Sequence, residues 1–167
     1  MEGALGLRAW LGLGSNVGDR IANLGSSLDA LERRGIRVAA RSSIYETEPQ
    51  AGAVGQDDFL NACIEVETDL DPPALLAACK DVEVELGRDL AAPRHAPRPI
   101  DVDLLLIDGH EHHSPELTVP HADLLGRRFV LEPLLELDPE LALPDGTRLA
   151  DALERLEGQR VDRVGDL

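Results

Sequence analysis

Residues 100–107, Ile-Asp-Val-Asp-Leu-Leu-Leu-Ile, set two carboxylates two positions apart inside an otherwise apolar run. Successive side chains of a β-strand point to opposite faces, so Asp101 and Asp103 project together while Ile100, Val102, Leu104 and Leu106 point into the opposite layer. A chain holding such a strand must bury one face of its sheet and leave the other within reach of water or a ligand. The two acids stand about 7 Å apart at Cα, which is unfavourable for like charges unless water or a cation lies between them. Carboxylates of this kind suit Mg²⁺, which is commonly held by one or two of them together with substrate phosphates. An ordinary solvated acidic face explains a bare Asp-x-Asp more simply in so acidic a chain.

The segment just before the pair changes the balance. Between Arg88 and Arg98 lie three arginines (Arg88, Arg94, Arg98), His95 and one acid, Asp89, whereas the whole chain has a formal charge of -16. Arginine forks bind phosphate oxygens bidentately, so a basic arm beside paired acids fits a metal-bound polyphosphate. A solvated loop whose arginines offset nearby acids fits equally well.

With 167 residues, 43% of them hydrophobic, the chain is long enough for a real core and is expected to form one domain, 1–167. The excess of acids, 32 against 16 basic residues, argues against non-specific binding to nucleic acid or anionic lipid. Lys80 is the only lysine, and no function follows from that. Cys63 and Cys79 lie in segments that read as buried and match no metal-ligand spacing, so both are expected to be reduced core residues. Signal-peptide features and apolar stretches of about 18 residues are lacking, so a cytoplasmic location is the expectation, and one small domain without an exposed apolar stripe is expected to be a monomer.

The apolar run Leu5 to Leu13 reads as a strand that breaks at Ser15-Asn16-Val17-Gly18-Asp19. Asp19 is a plausible N-cap for a helix on the spacing Ile21, Leu24, Leu28, Leu31, stopped by Gly35, with Arg33 and Arg34 suited to its C-terminal dipole. Ile36 to Thr47 reads as one strand, and Glu48 to Asp58 as a mobile loop. Phe59 to Thr68 reads as another strand, with Leu60, Ala62, Ile64 and Val66 on one face and Phe59, Asn61 and Cys63 on the other. A flat aromatic with an amide two residues on can hold a flat heterocycle, although such a pair is more often sheet surface. Pro72-Pro73 opens a helix with the stripe Leu75, Cys79, Val82, Leu86, closed by Gly87. A polar loop, a Thr118-Val119-Pro120-His121 turn, a segment from Arg127 to Leu135, a helix from about Leu149 to Leu156 and a polar tail complete the chain.

The order strand, helix, strand, strand, helix, strand is that of a ferredoxin-like α+β sandwich, an antiparallel sheet with helices on one face. Asp101, Asp103, Phe59 and Asn61 then share the partly open face, which a C-terminal helical extension can wall off. Gly12-Leu13-Gly14-Ser15-Asn16-Val17-Gly18 fits neither common phosphate loop: the third glycine of a dinucleotide fingerprint falls at Val17, and no Gly-Lys-Ser/Thr follows. The turn reads as structural, with Ser15 and Asn16 lining one end of a site. His110, His112 and His113 read as exposed loop residues rather than zinc ligands. No Gly-x-Ser-x-Gly elbow points to a hydrolase.

Taken together, the blocks LGLGSNVGDR, SSIYETEP, QDDFLNACIEVET, ELGR, PRPIDVDLLL, LTVPH and RRFVLEPLLELDPEL resemble, in order and spacing, the 6-hydroxymethyl-7,8-dihydropterin pyrophosphokinases of folate biosynthesis. The resemblance implies pyrophosphate transfer from ATP to a pterin, by in-line attack of the hydroxymethyl oxygen on the β-phosphorus with release of AMP. It implies that Asp101 and Asp103 bind two Mg²⁺ ions, and that the pterin lies between Phe59 and Phe129 with its polar edge at Asn61, Thr47 and Pro49. It assigns ATP to Glu83, Arg88, Arg94, Arg98, Thr118, His121 and Arg127, with Arg88 and Arg98 also catalytic beside the two acids. Positioning and charge neutralisation carry such chemistry, so no general base is required. Closure of Gly12–Gly18, Glu48–Asp58 and Asp89–Pro97 over the site would exclude water. This chain departs from the family pattern at Leu90, His95, Glu116 and Ala122, all toward the ATP end. A non-catalytic nucleotide or metal sensor would share the sandwich and the acid pair but not Phe59, Asn61 and Phe129. A Rossmann-type enzyme would need a parallel sheet.

Overall fold

A computed structural model describes residues 6–48, 58–87 and 99–167. The chain runs β1 (Leu7–Ser15), α1 (Arg20–Glu32), β2 (Ile36–Arg41), β3 (Ser43–Thr47), β4 (Phe59–Thr68), α2 (Pro72–Glu85), β5 (Asp101–Ile107), β6 (His112–His113), β7 (Thr118–Val119), α3 (Arg128–Leu137), α4 (Leu149–Arg155) and β8 (Val161–Asp166). The main sheet is ordered β5-β1-β4-β3-β8, with β2 also paired to β4, and every pairing in it is antiparallel. This is the ferredoxin-like order expected from the sequence, extended at one edge.

Helix boundaries follow local chemistry. Asp19 caps α1 through the Ala22 N–H at 3.0 Å, and Asp71 caps α2 through the Ala74 N–H at 2.9 Å, with Pro72-Pro73 in the first turn where missing N–H groups cost nothing. At its far end α1 is held twice over: Arg34 donates to the Ala30 carbonyl at 2.9 Å, and Arg33 and Arg34 both pair with Glu85 of α2. The two arginines therefore join neighbouring helices as well as answering the dipole.

Two cores flank the sheet. On one face, Leu11, Leu13, Ile64, Val66, Val102 and Leu104 pack under Leu24, Leu28 and Leu31 of α1 and Leu75, Cys79 and Val82 of α2. On the other, Trp10, Cys63, Leu105 and Leu106 pack under Val130, Leu131 and Leu134 of α3 and Leu149 and Ala152 of α4. The C-terminal helices thus cover part of the face the sequence left open. Among the described residues no helix is long and apolar enough to cross a membrane.

Three expectations are corrected. Leu106 lies on the Trp10 side, not with Val102 and Leu104, because the β1–β5 register slips between Trp10 and Leu11 and Leu105 has no partner of its own. Such a bulge sends two successive residues to one face. The run 36–47 is two strands, broken where Ser42 turns its hydroxyl to the Cys63 N–H at 2.9 Å and to the Ser43 carbonyl at 2.7 Å. The polar tail is not a tail: residues 161–166 form β8, paired to β3 with Thr47 opposite Val161 and Ser43 opposite Asp166.

One acid ties β3, β8 and α3 together. Glu136 accepts from the Tyr45 hydroxyl at 2.6 Å, the Ser43 hydroxyl at 2.8 Å and the Ser43 N–H at 3.0 Å, while Arg163 of β8 donates to the same Ser43 oxygen at 2.8 Å. Partial burial pushes the Glu136 pKa up, but these hydrogen bonds and the Arg163 charge outweigh it and hold the carboxyl below its ordinary 4.5. A carboxylate depressed in the folded state adds stability above its unfolded pKa, and that stability fades as pH falls through the folded value. Glu136→Gln is therefore expected to cost on the order of 1 kcal/mol at pH 7, a modest figure because the pair is partly solvated. The deficit should shrink below about pH 4.5. Urea unfolding at both pH values checks this, and a pH-independent deficit would remove the ionic assignment.

Both cysteines are free and buried. Burial foremost pushes the Cys79 thiol up to about 12, with Glu83 and Asp103 adding to it, and raises Cys63 likewise with help from Asp103. Since the thiolate is the nucleophile, neither is expected to react with a disulfide reagent at pH 8 until the chain unfolds, when both should titrate. Fast labelling of the native protein would contradict the burial.

Candidate active site

The open end of the sheet is built by register. Gly14 of β1 lies opposite Asp101 on one side and Asn61 on the other, and Gly12 lies opposite Asp103 and Cys63. Directly opposed residues in an antiparallel pair share a face, so a strip of bare backbone separates the acid pair from the amide. One strand further on, Tyr45 is opposite Asn61 and Thr47 opposite Phe59. Asp101, Asp103, Asn61, Phe59 and Thr47 therefore occupy one continuous surface across four strands. That is what the sequence reading required of them.

Each group is held by its neighbours. Asn61 is buried and donates through Nδ2 to the buried Thr47 hydroxyl at 2.7 Å. A Cβ added at Gly14 would stand 2.7 Å from Asn61 Oδ1 and 3.5 Å from Phe59 Cδ1, so the amide and the ring lean into space that only glycine leaves. At Gly12 the nearest atom would be Cδ1 of the buried Leu105 at 3.2 Å, a looser approach. The sequence reads Gly12 and Gly14 as the end of a strand entering a structural turn that fits no phosphate loop, and not as a floor. Their period of two, in step with Asp101 and Asp103, was the signal that they form a floor.

Gly12 to Ser15 belong to β1 and not to a closing loop, which corrects that expectation. The turn after them is tied down by Asn23 of α1, whose amide donates to Ser15 Oγ at 3.2 Å and to the Val17 carbonyl at 2.8 Å. Ser15 and Asn16 are buried at the end of the floor.

Glu83 is only 4% exposed and accepts the Val102 N–H at 2.8 Å, fixing the β5 backbone between the two acids. Along the outer side of β5, the His121 N–H donates to the Leu105 carbonyl at 2.9 Å, bringing His121 and the exposed Thr118 beside the acid-bearing strand. His121 Nδ1 is turned to the Asp123 N–H at 3.1 Å. At the mouth of α3, the Arg127 guanidinium lies 5.7 Å from the Phe129 ring centroid and pairs with Asp123 at 3.1 Å. The next residue, Val130, presents its carbonyl 3.8 Å from Cys63 Sγ, which sets the start of α3 over the Asn61 face. Arg88, Arg94, Arg98 and Pro49 lie outside the described residues.

Residues 10–139 match the family described as 7,8-dihydro-6-hydroxymethylpterin-pyrophosphokinase (HPPK). The chain belongs to that family. Among its HPPK relatives, the Methylorubrum extorquens protein named 2-amino-4-hydroxy-6-hydroxymethyldihydropteridine pyrophosphokinase is 42% identical over 158 residues, 94% of this chain and 98% of that one. The Pseudomonas aeruginosa protein of the same name is 37% identical, covering 94% of this chain and 96% of that one. The Schizosaccharomyces pombe folic acid synthesis protein fol1 is 40% identical over 92% of this chain, which spans 21% of its length. Among solved structures, the wild-type Plasmodium falciparum HPPK-DHPS shares the fold at a TM-score of 0.67 with 14% identity, over 93% of this chain and 45% of that one.

Proposed function

We propose that this HPPK-family chain transfers pyrophosphate from ATP to the hydroxymethyl group of 6-hydroxymethyl-7,8-dihydropterin, giving AMP and the pterin pyrophosphate in folate biosynthesis. The observation that carries the reading is the glycine floor, flanked by two carboxylates on one side and by a joined amide and hydroxyl with an aromatic ring on the other. A flat heterocycle beside the Gly14 strip, between Phe59 and Phe129, meets Asn61 and Thr47 at its edge, and its hydroxymethyl arm then points across the strand toward Asp101 and Asp103. Phe129 closes the pocket from α3.

Among the described residues no group of three or more His, Cys, Asp or Glu could hold a metal ion by itself. The donor set fits Mg²⁺ nonetheless, because this ion is usually bound through one or two carboxylates with substrate phosphates and water completing its shell. Asp101 and Asp103 would hold it, and when bound it supplies charge neutralisation for the polyphosphate. Glu83 keeps the two carboxylates in place through the Val102 N–H. Thr118, His121 and Arg127 line the side from which ATP enters, and Arg88, Arg94 and Arg98 are assigned to its phosphates. The protein's contribution is alignment of the hydroxymethyl oxygen with the β-phosphorus, which is where catalysis of this kind gains most.

Incubation with ATP, Mg²⁺ and the hydroxymethyl pterin tests the reading. AMP is expected to form one-for-one with the pterin product and only when Mg²⁺ is present. ADP in place of AMP, or nucleotide binding without turnover, would overturn it in favour of simple phosphoryl transfer or a sensor.

A further inference from the structure

We propose that residues 156–160 are a strap that sets the separation of the two phenylalanines assigned to the pterin, with Gln159 and Arg160 as positioning residues. The proposal rests on the reading of Phe59 and Phe129 as the faces of the pterin pocket. The strap grips the residue that precedes each ring. Arg160 pairs with Asp58 at 2.5 Å, directly before Phe59. Gln159 accepts the Arg128 N–H at 2.9 Å, directly before Phe129, and donates to the Gly126 carbonyl at 3.1 Å. The Arg128 guanidinium returns the contact, donating to the Leu156 carbonyl at 2.9 Å and the Gly158 carbonyl at 3.2 Å.

Two further observations set this segment apart from an ordinary surface crossing. Gln159 is, among the described residues, the one non-glycine with positive φ, at 56°, directly after Gly158 at 71°. A non-glycine residue in this left-handed region is strained and persists only where its surroundings hold it, as the two hydrogen bonds to Arg128 and Gly126 hold Gln159. Asp58 is also gripped from the other side, its carbonyl accepting from Arg20 at 2.8 Å. The start of β4 is thus fixed between α1 and the strap, and the start of α3 is fixed to the same strap.

The Arg160–Asp58 pair is about half exposed, with side chains at 45% and 35%. Exposed pairs add little to stability. Its loss should therefore be read in pocket geometry and not in unfolding.

The test compares the full-length Gln159→Ala/Arg160→Ala variant, Phe59→Ala and the charge-swapped Asp58→Arg/Arg160→Glu pair with the parent chain. The proposal predicts that the double alanine variant raises KM for the pterin about tenfold with kcat nearly unchanged and a clearly smaller rise in KM for ATP, because Gln159 also holds the residues on either side of Arg127. Thermal unfolding followed by Trp10 emission should be unaltered, and the charge-swapped pair should recover most of the pterin affinity. Equal effects on both substrates, or loss of the fold, would overturn the proposal and leave the strap a stabilising contact only. An unchanged pterin KM in the strap variant while Phe59→Ala raises it would also overturn it. An unchanged pterin KM in Phe59→Ala would instead remove the pocket assignment on which the proposal stands.

Discussion

Asp103→Asn is expected to lower turnover about 10²- to 10³-fold, the scale of losing a preorganised electrostatic contact to a developing or transferring charge. Asp101→Asn should behave alike. Both replacements keep the shape of the side chain on β5, so the apolar face formed by Val102 and Leu104 is undisturbed. Two carboxylates on same-face positions repel, and removing the Asp103 charge should leave the unfolding free energy unchanged or slightly higher. That opposition between stability and activity marks a functional acid pair better than either number alone. Steady-state kinetics beside urea unfolding of both variants checks it. Activity within tenfold of the parent would remove these acids from the reaction.

Gly14→Ala is the second large effect. Its new methyl would stand 2.7 Å from Asn61 Oδ1, so the amide must swing away and give up its 2.7 Å bond to Thr47. Asn61 and Thr47 are both buried, and leaving either unsatisfied costs about 1–3 kcal/mol. A displaced Asn61 amide can no longer bond the pterin edge, and a loss of binding on the same scale of about 1–3 kcal/mol is a rise in KM of about 5- to 140-fold. ATP is assigned to the other side of the strand, and its KM should move little. Gly12→Ala is the control, because the atom it approaches, Leu105 Cδ1 at 3.2 Å, has to give by only a few tenths of an ångström and carries no hydrogen bond. Similar losses at both glycines would mean that β1 is sensitive to any Cβ, and the floor would lose its specific role.

The acid pair and the Phe59–Asn61 pair were legible because alternation in a strand is a local rule. Helix starts at Asp19 and at Pro72-Pro73 were legible for the same reason, through a cap at the first and prolines in the first turn of the second. What escaped was non-local. Leu106 changed sides because of a bulge set by how β1 pairs with β5, and nothing in 100–107 announces it. Strand β8 escaped because an edge strand with mostly exposed side chains carries no apolar alternation: Asp162, Arg163 and Val164 are all exposed. The Glu136 node joins residues more than 90 positions apart, and pairing at that distance is invisible in one sequence. Gly14 lay between these cases, its period readable but its clearance known only once Asn61 and Phe59 were placed around it.

A crystal structure of the complex with 6-hydroxymethyl-7,8-dihydropterin, Mg²⁺ and a non-hydrolysable ATP analogue tests the central claim most directly. The expected result is the pterin ring beside Gly14, its edge at Asn61 and Thr47, its faces against Phe59 and Phe129, and its hydroxymethyl oxygen toward Asp101 and Asp103. A ring bound away from Gly14, or phosphates bound away from the two aspartates, would contradict it.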